Sequence, residues 1–281
     1  MLTSSGCFGH THIGKVRQDN EDRFLVDFWP NRSAVLAVIA DGMGAYGGGA
    51  TAAATVIETF AQLTHRELPP SRSERYELLL SAFYRADDRV RELQASTYPE
   101  MGATVAAAII TGNELLHLYS GDCRVYHFAK GEAIYVSRDH SVVRALVEAG
   151  MINETEAAVH PMRNIVTSCL GGPTTKLRLT VDPQLGGSEL PEIPSEGPFR
   201  LLSTGDVIVM CSDGLWSGLD GNVLANTVRR SRSSRMDAKE LSNLLVELAL
   251  SGPAADNITG VVLDADSLSA DFERIIRQGE L

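Results

Sequence analysis

The chain is poor in the features that build a disulfide framework, a membrane span or a nucleic-acid surface. It has four cysteines in 281 residues, Cys7, Cys123, Cys169 and Cys211, and no two of them form a C-x-x-C pair. Scattered single thiols fit a reducing compartment, and neither they nor the histidines fall at zinc-ligand spacing. No apolar run approaches the roughly 18 residues that a transmembrane helix needs. The N-terminal MLTSSGCFGH carries neither a basic region nor an apolar core, so it does not read as a signal peptide, and a cytoplasmic location is expected. Positive charge is in deficit: 25 Lys and Arg face 36 Asp and Glu, for a net charge of -11. That balance argues against a nucleic-acid or anionic-membrane partner. There is no low-complexity segment to suggest a disordered chain.

What is present is an ordinary globular composition, 44% hydrophobic and 22% charged, enough to bury a substantial core in one large domain or two small ones. One stretch organises the rest. From Ala34 to Gly49 the chain reads AVLAVIADGMGAYGGG. The short, β-branched apolar run predicts a buried strand that stops at Asp41. Gly42, Gly44, Gly47, Gly48 and Gly49 allow a tight turn and close approach to a ligand. Ala50, Ala53, Ile57, Phe60 and Leu63 then recur at helical spacing. An acid beside bare backbone and a helix start either caps the turn or is presented to a divalent cation and a phosphate.

Residues 6–29 predict two strands around the polar turn Arg17-Gln-Asp-Asn-Glu-Asp22, read as a solvated hairpin or as a phosphate-binding Arg beside metal-binding acids. A helix is predicted over about 72–95, and a β-meander over 103–136, with Asp122 at a strand junction. Ser137 to Ser141 opens a short helix with Asp139 as N-cap candidate. Residues 151–162 read as a partly helical loop, followed by strands near 163–169 and 176–182. The proline- and glycine-rich 183–205 reads as an irregular surface excursion. Val207 to Gly214 repeats the apolar-run-to-Asp-Gly pattern around Asp213. Helices near 221–230 and 237–250 follow, the second opened by the capping-box pattern Asp237–Glu240. Asp256 then precedes a last strand, and 266–281 reads as a peripheral charged tail.

Asp22, Asp41, Asp122, Asp213 and Asp256 thus each stand beside a strand end or start. Five such acids suggest a carboxylate cluster at one sheet edge, which would repel itself unless cations neutralised it. Oxygen-only ligands select Mg²⁺ or Mn²⁺ over zinc.

The segments R-Q-D-N-E-D (17–22), A-D-G-M-G (40–44), M-G-A-T (101–104), S-G-D-C-R (120–124), S-R-D-H-S (137–141), G-D-V-I-V-M-C-S-D-G-L (205–215) and A-D-N-I-T (255–259) together resemble the protein phosphatase 2C family, the metal-dependent Ser/Thr phosphatases, in its bacterial form. They stand in family order over nearly the whole chain. The resemblance implies an α+β fold, a four-layer α-β-β-α sandwich of two antiparallel β-sheets flanked by helices. It implies one domain over 1–265, with a flap at about 145–162, and a tail at 266–281. It also implies hydrolysis of phosphoserine and phosphothreonine in proteins by a water activated between two metal ions. Asp41 would bridge two Mn²⁺ or Mg²⁺ ions with the Gly42 carbonyl as a further ligand. Asp213 and Asp256 would hold the first ion, Asp22 would act through water, and Asp122 with Asp213 would form a weaker third site. Arg17 would grip the substrate phosphate. Partners would be phosphorylated proteins, substrates of a Ser/Thr kinase, with no nucleic acid and no membrane.

Three departures stand out. Met43 occupies the place where animal members carry a His proposed as general acid. Ala45-Tyr46 replaces the usual Gly-His, and Ala50 a common Glu. Cys123 replaces the usual Ser. Two other readings stay open: a phosphatase of the anti-sigma antagonist type, and a catalytically silent phosphoprotein-binding relative.

Overall fold

The computed structural model describes residues 6–30, 33–96, 100–131, 134–172, 179–185 and 197–278. In chain order they form β1 (Cys7–His12), β2 (Asp22–Phe28), β3 (Ala34–Met43), α1 (Gly48–Ala61), α2 (Arg72–Ser96), β4 (Gly102–Thr111), β5 (Glu114–Ser120), β6 (Arg124–Phe128) and β7 (Ile134–Val136). There follow α3 (Val142–Glu148), α4 (Glu154–Ala158), β8 (Leu170–Gly171), β9 (Phe199–Leu201), β10 (Val207–Cys211), α5 (Asp213–Gly218), α6 (Gly221–Ser234), α7 (Ala238–Ser251), β11 (Ile258–Asp264) and α8 (Ala265–Gln278). One antiparallel sheet has the order β1-β11-β10-β6-β7; the other has the order β2-β3-β4-β5-β9, with β8 on β4.

The alternation along β3 explains why the layers stack. Leu36, Val38 and Ala40 face a core shared with Phe60 of α1 and Phe83 of α2. Val35, Ala37 and Ile39 face the opposite way, into the layer between the sheets, against Ile208, Met210, Val261 and Leu263. A strand covered on both faces carries a continuous apolar run, with successive side chains going to opposite sides. A third core joins the outer face of the other sheet to Leu224 and Val228 of α6 and Leu241 and Leu245 of α7. These three cores make the four-layer α-β-β-α sandwich expected from the resemblance.

Several local expectations are corrected. The strand does not stop at Asp41 but runs to Met43, because β4 goes on supplying ladder partners as far as Gly102. The strand expected near 163–169 is a single bridge, Ser141 with Val166; pairing then lasts only through Leu170 and Gly171, and the positive φ of Gly171 and Gly172 turns the backbone away. Of the strand expected at 176–182, residues 176–178 lie outside the described residues, and the rest forms one bridge, Asp182 with Tyr119. Part of the 183–205 excursion, 186–196, also lies outside them; its end is not irregular, since β9 extends the sheet along β5. The 266–281 segment is not merely peripheral. It falls largely in α8, whose Leu268 and Phe272 are buried in the layer between the sheets.

Asp139 does not cap α3. The cap is Ser141, whose Oγ accepts from the Arg144 amide, while Asp139 is held by Arg124 in a two-point fork of 2.8 and 2.7 Å. A bidentate Arg–carboxylate pair is stronger than a cap bond to a neutral amide, and it draws the acid away from the helix.

Candidate active site

The acids gather because neighbouring strands deliver them. Asp22 and Asp41 are direct partners in the β2–β3 ladder. Asp213 opens α5 immediately after β10 and Ser212, Asp256 lies just before β11, and Asp122 sits in the turn between β5 and β6. β10 and β11 are antiparallel neighbours, so Asp213 and Asp256 emerge at the same sheet edge.

Asp22 is only 1% exposed. Both Ser212 Oγ (2.7 Å) and Thr259 Oγ1 (2.6 Å) donate to its Oδ2, while its Oδ1 is buried without a partner. Burial raises its carboxyl to about 7, the two hydroxyls oppose the rise, and the charges of Asp213 and Asp256 add to it. Asp41 lies well above the usual carboxylate range, through desolvation and then the charges of Asp22, Asp213, Asp122 and Asp256. Asp122 is raised to about 8 by burial, Asp213 and Asp139. Asp213 is raised to about 6 by burial and Asp256, against a hydrogen bond with Asp41.

The charges of Asp22, Asp122, Asp213 and Asp256 therefore hold neighbouring protons on, the signature of like charges crowded into a low-dielectric site. Among the described residues no three acidic, His or Cys side chains already converge as a closed ion cage. The chemistry of the set nevertheless fits a hard cation: all donors are oxygen, the cluster is short of positive charge, and Asp22 Oδ1 is an orphaned buried acceptor.

Arg17 Nη2 lies 2.8 Å from Asp256 Oδ2, with the guanidinium half-exposed at the rim. Gly42 sits where a Cβ would run into the Gly49 carbonyl and come within 2.8 Å of the Glu21 carbonyl, so the close backbone approach read from the glycines is real. The α1 N-terminus, which lacks a cap from Gly47, has its Ala50 amide bound by the Glu21 carboxylate. Asn257 fastens the Arg17 loop: its Nδ2 donates to the Ile13 and Asp19 carbonyls, and its Oδ1 accepts from the Glu21 amide. Beside the acids runs a cleft of about 510 Å³, walled by α3, α4 and α5 and lined by Asp122, Arg124, Asp213, Trp216 and Asp256.

The sequence reading brought out Arg17, Asp22, Asp41, Gly42, Asp122, Asp213 and Asp256; Asp122, Asp213 and Asp256 line this cleft, Asp22 and Asp41 are ladder partners beside it, and Arg17 pairs with Asp256. It missed Ser212, Thr259, Asn257 and Trp216. The signal for the first two was a hydroxyl at the edge of an otherwise apolar strand.

Against known proteins, residues 8–248 match the family described as Protein phosphatase 2C, and the chain belongs to that family. It is 29% identical over 262 residues to a putative protein phosphatase 2C-type of Streptococcus pyogenes, covering 92% of this chain and 96% of the relative. The structure of the Streptococcus agalactiae serine/threonine phosphatase superposes with a TM-score of 0.77 at 27% identity, covering 92% of this chain and 98% of the other. A crystal structure of the catalytic domain of the phosphatase PstP in complex with two manganese ions shares the fold, with a TM-score of 0.70 at 24% identity and coverage of 92% and 96%. Among the described residues no helix is long and apolar enough to cross a membrane.

Proposed function

We propose that this protein is a metal-dependent serine/threonine protein phosphatase that hydrolyses phosphoserine and phosphothreonine esters. The observation that carries the reading is the crowding of Asp22, Asp41, Asp122 and Asp213, whose carboxyls are all raised, with Asp256 and the guanidinium of Arg17 paired beside them. Asp41, the Gly42 carbonyl, Asp213 and Asp256 would hold two Mn²⁺ or Mg²⁺ ions, Asp22 would contribute through water, and Asp122 with Asp213 would hold a weaker third. Bound there, such ions supply Lewis acidity that makes water nucleophilic near neutral pH and offsets phosphoryl charge.

The chain's own residues do the rest. Ser212 and Thr259 fix Asp22 through one carboxylate oxygen and leave the other available. Arg17, half-exposed at the rim beside Asp256, would offer its planar fork to the phosphate oxygens. Met43 cannot donate a proton, so no side chain at that position protonates the leaving alkoxide. Four buried free thiols suit a reducing cytoplasm, where the partners would be phosphoproteins made by a Ser/Thr kinase.

Turnover of an aryl phosphate and of a phosphothreonine peptide with Mn²⁺ tests the reading. Asp41→Asn or Asp213→Asn should abolish it. Asp122→Ala should slow it while calorimetry still finds two bound ions, and loss of all metal in that variant would remove Asp122 from the third site.

A further inference from the structure

Asp122 is the acid with the least obvious support. It sits in a turn, not a strand, and a hydrogen bond from the Thr104 side chain of β4 supports its carboxyl. Its backbone, however, is fastened from the far side of the cleft. Trp216 of α5 donates from Nε1 to the Asp122 carbonyl (2.9 Å). The Arg124 guanidinium lies 3.7 Å from the centre of the Trp216 ring, stacking distance for a cation on an aromatic face. Arg124 cannot swing away, because Asp139 grips it by the two-point fork and the Tyr126 hydroxyl accepts from its Nη1 (3.2 Å). Asp139 in turn is fixed through its neighbour: the His140 amide donates to the Gly121 carbonyl (2.8 Å), the Gly121 amide donates to His140 Nδ1 (3.2 Å), and His140 Nε2 pairs with Asp182 Oδ2 (3.0 Å).

Asp213 and Trp216 share one short helix. The indole bond therefore sets the distance between the Asp122 turn and the helix that carries Asp213. We propose that Trp216, locked by Arg124 and Asp139, is a positioning residue that holds Asp122 at the separation from Asp213 needed to share a divalent cation; this rests on the functional reading above.

A double-mutant cycle read by Mn²⁺ calorimetry on the full chain, without substrate, tests this. Trp216→Phe keeps a ring for Arg124 to stack on but removes the N–H donor. It should weaken the Mn²⁺ step that Asp122→Asn abolishes, by about three- to tenfold, the worth of one hydrogen bond. In the Asp122→Asn background the same change should leave the remaining Mn²⁺ isotherm unaltered, since coupled residues are non-additive. Asp139→Asn, which breaks the fork without changing shape, should behave in the same way and serves if Trp216→Phe melts early. Wild-type Mn²⁺ affinity in Trp216→Phe, or an equal loss in both backgrounds, would overturn the inference. A purely structural role would lower the melting temperature alike in both backgrounds and leave the isotherms in place, which also overturns it. Wild-type protein that shows the coupling but never releases phosphate would refute the phosphatase reading and leave this one standing.

Discussion

Asp22 and Asp41 face each other as direct partners across the β2–β3 ladder, two carboxylates where a sheet ordinarily places apolar or oppositely charged pairs. The position is tolerable only if protons or cations separate the charges. In the metal-free molecule protons do so, and this sets how its stability depends on pH. Asp22, Asp213 and Asp122 are raised to about 7, 6 and 8. A carboxyl raised on folding binds its proton more tightly in the folded state. Its contribution to stability is therefore complete below the unfolded value, near 4, and is lost as pH climbs through the folded values. Chelator-treated protein should melt at progressively lower temperature from about pH 5 to pH 8, and Mn²⁺ should reverse the loss at pH 8. Asp41→Asn should raise the metal-free melting temperature at pH 8, by roughly 2–4 °C per kcal/mol relieved, while abolishing turnover. A melting temperature flat over that range would contradict the charge crowding.

Arg17 carries a double prediction. Its pairing with Asp256 at 2.8 Å is half-exposed, so it contributes less than about 1 kcal/mol to stability, but it puts a positive charge where a cation ligand is proposed. Arg17→Ala should bind Mn²⁺ at least as tightly as wild type and melt at nearly the same temperature. It should lower kcat/KM at least about tenfold, since charge-assisted hydrogen bonds are worth about 1.5–3 kcal/mol each. Arg17→Lys should recover only part of the loss, and product phosphate should inhibit the Ala variant more weakly. Equal kcat/KM in all three would make Arg17 a solvated turn residue.

Gly42 tests whether the backbone contact beneath the acids matters. The three atoms nearest a Cβ there are backbone, of Gly49 and Glu21, and cannot give way as a flexible side chain would. Gly42→Ala should cost about 1–3 kcal/mol in urea unfolding, as overpacking does, and should reduce turnover more than Ala50→Gly in the first turn of α1. Unchanged stability would mean that the strand and the helix start can separate freely.

The acids were legible in the sequence because each ends or begins an apolar run, a local pattern that needs no knowledge of the fold. Their supports were not. Ser212 and Thr259 lie 190 and 237 positions from Asp22 and meet it only once the sheets are stacked. Asp139 was misassigned because a capping rule looks along the helix, whereas its partner Arg124 comes from a strand of the meander. The burial of Leu268 and Phe272 was hidden by the charged residues around them, although their spacing of four is helical. The strand expected near 163–169 shrinks to the bridge at Val166, and the pairing that does form, at Leu170 and Gly171, is ended by two glycines with positive φ.

The central claim, that this carboxylate cluster performs metal-dependent hydrolysis of phosphoesters in proteins, is met most directly by phosphate release from a phosphothreonine peptide. Protein stripped with chelator, its metal content verified by elemental analysis, should release no phosphate. Mn²⁺ should restore release in the same sample, and Asp41→Asn should remain inactive at every Mn²⁺ concentration. Phosphate release by the verified metal-free protein, or by the Asp41→Asn variant at the wild-type rate, would contradict the account.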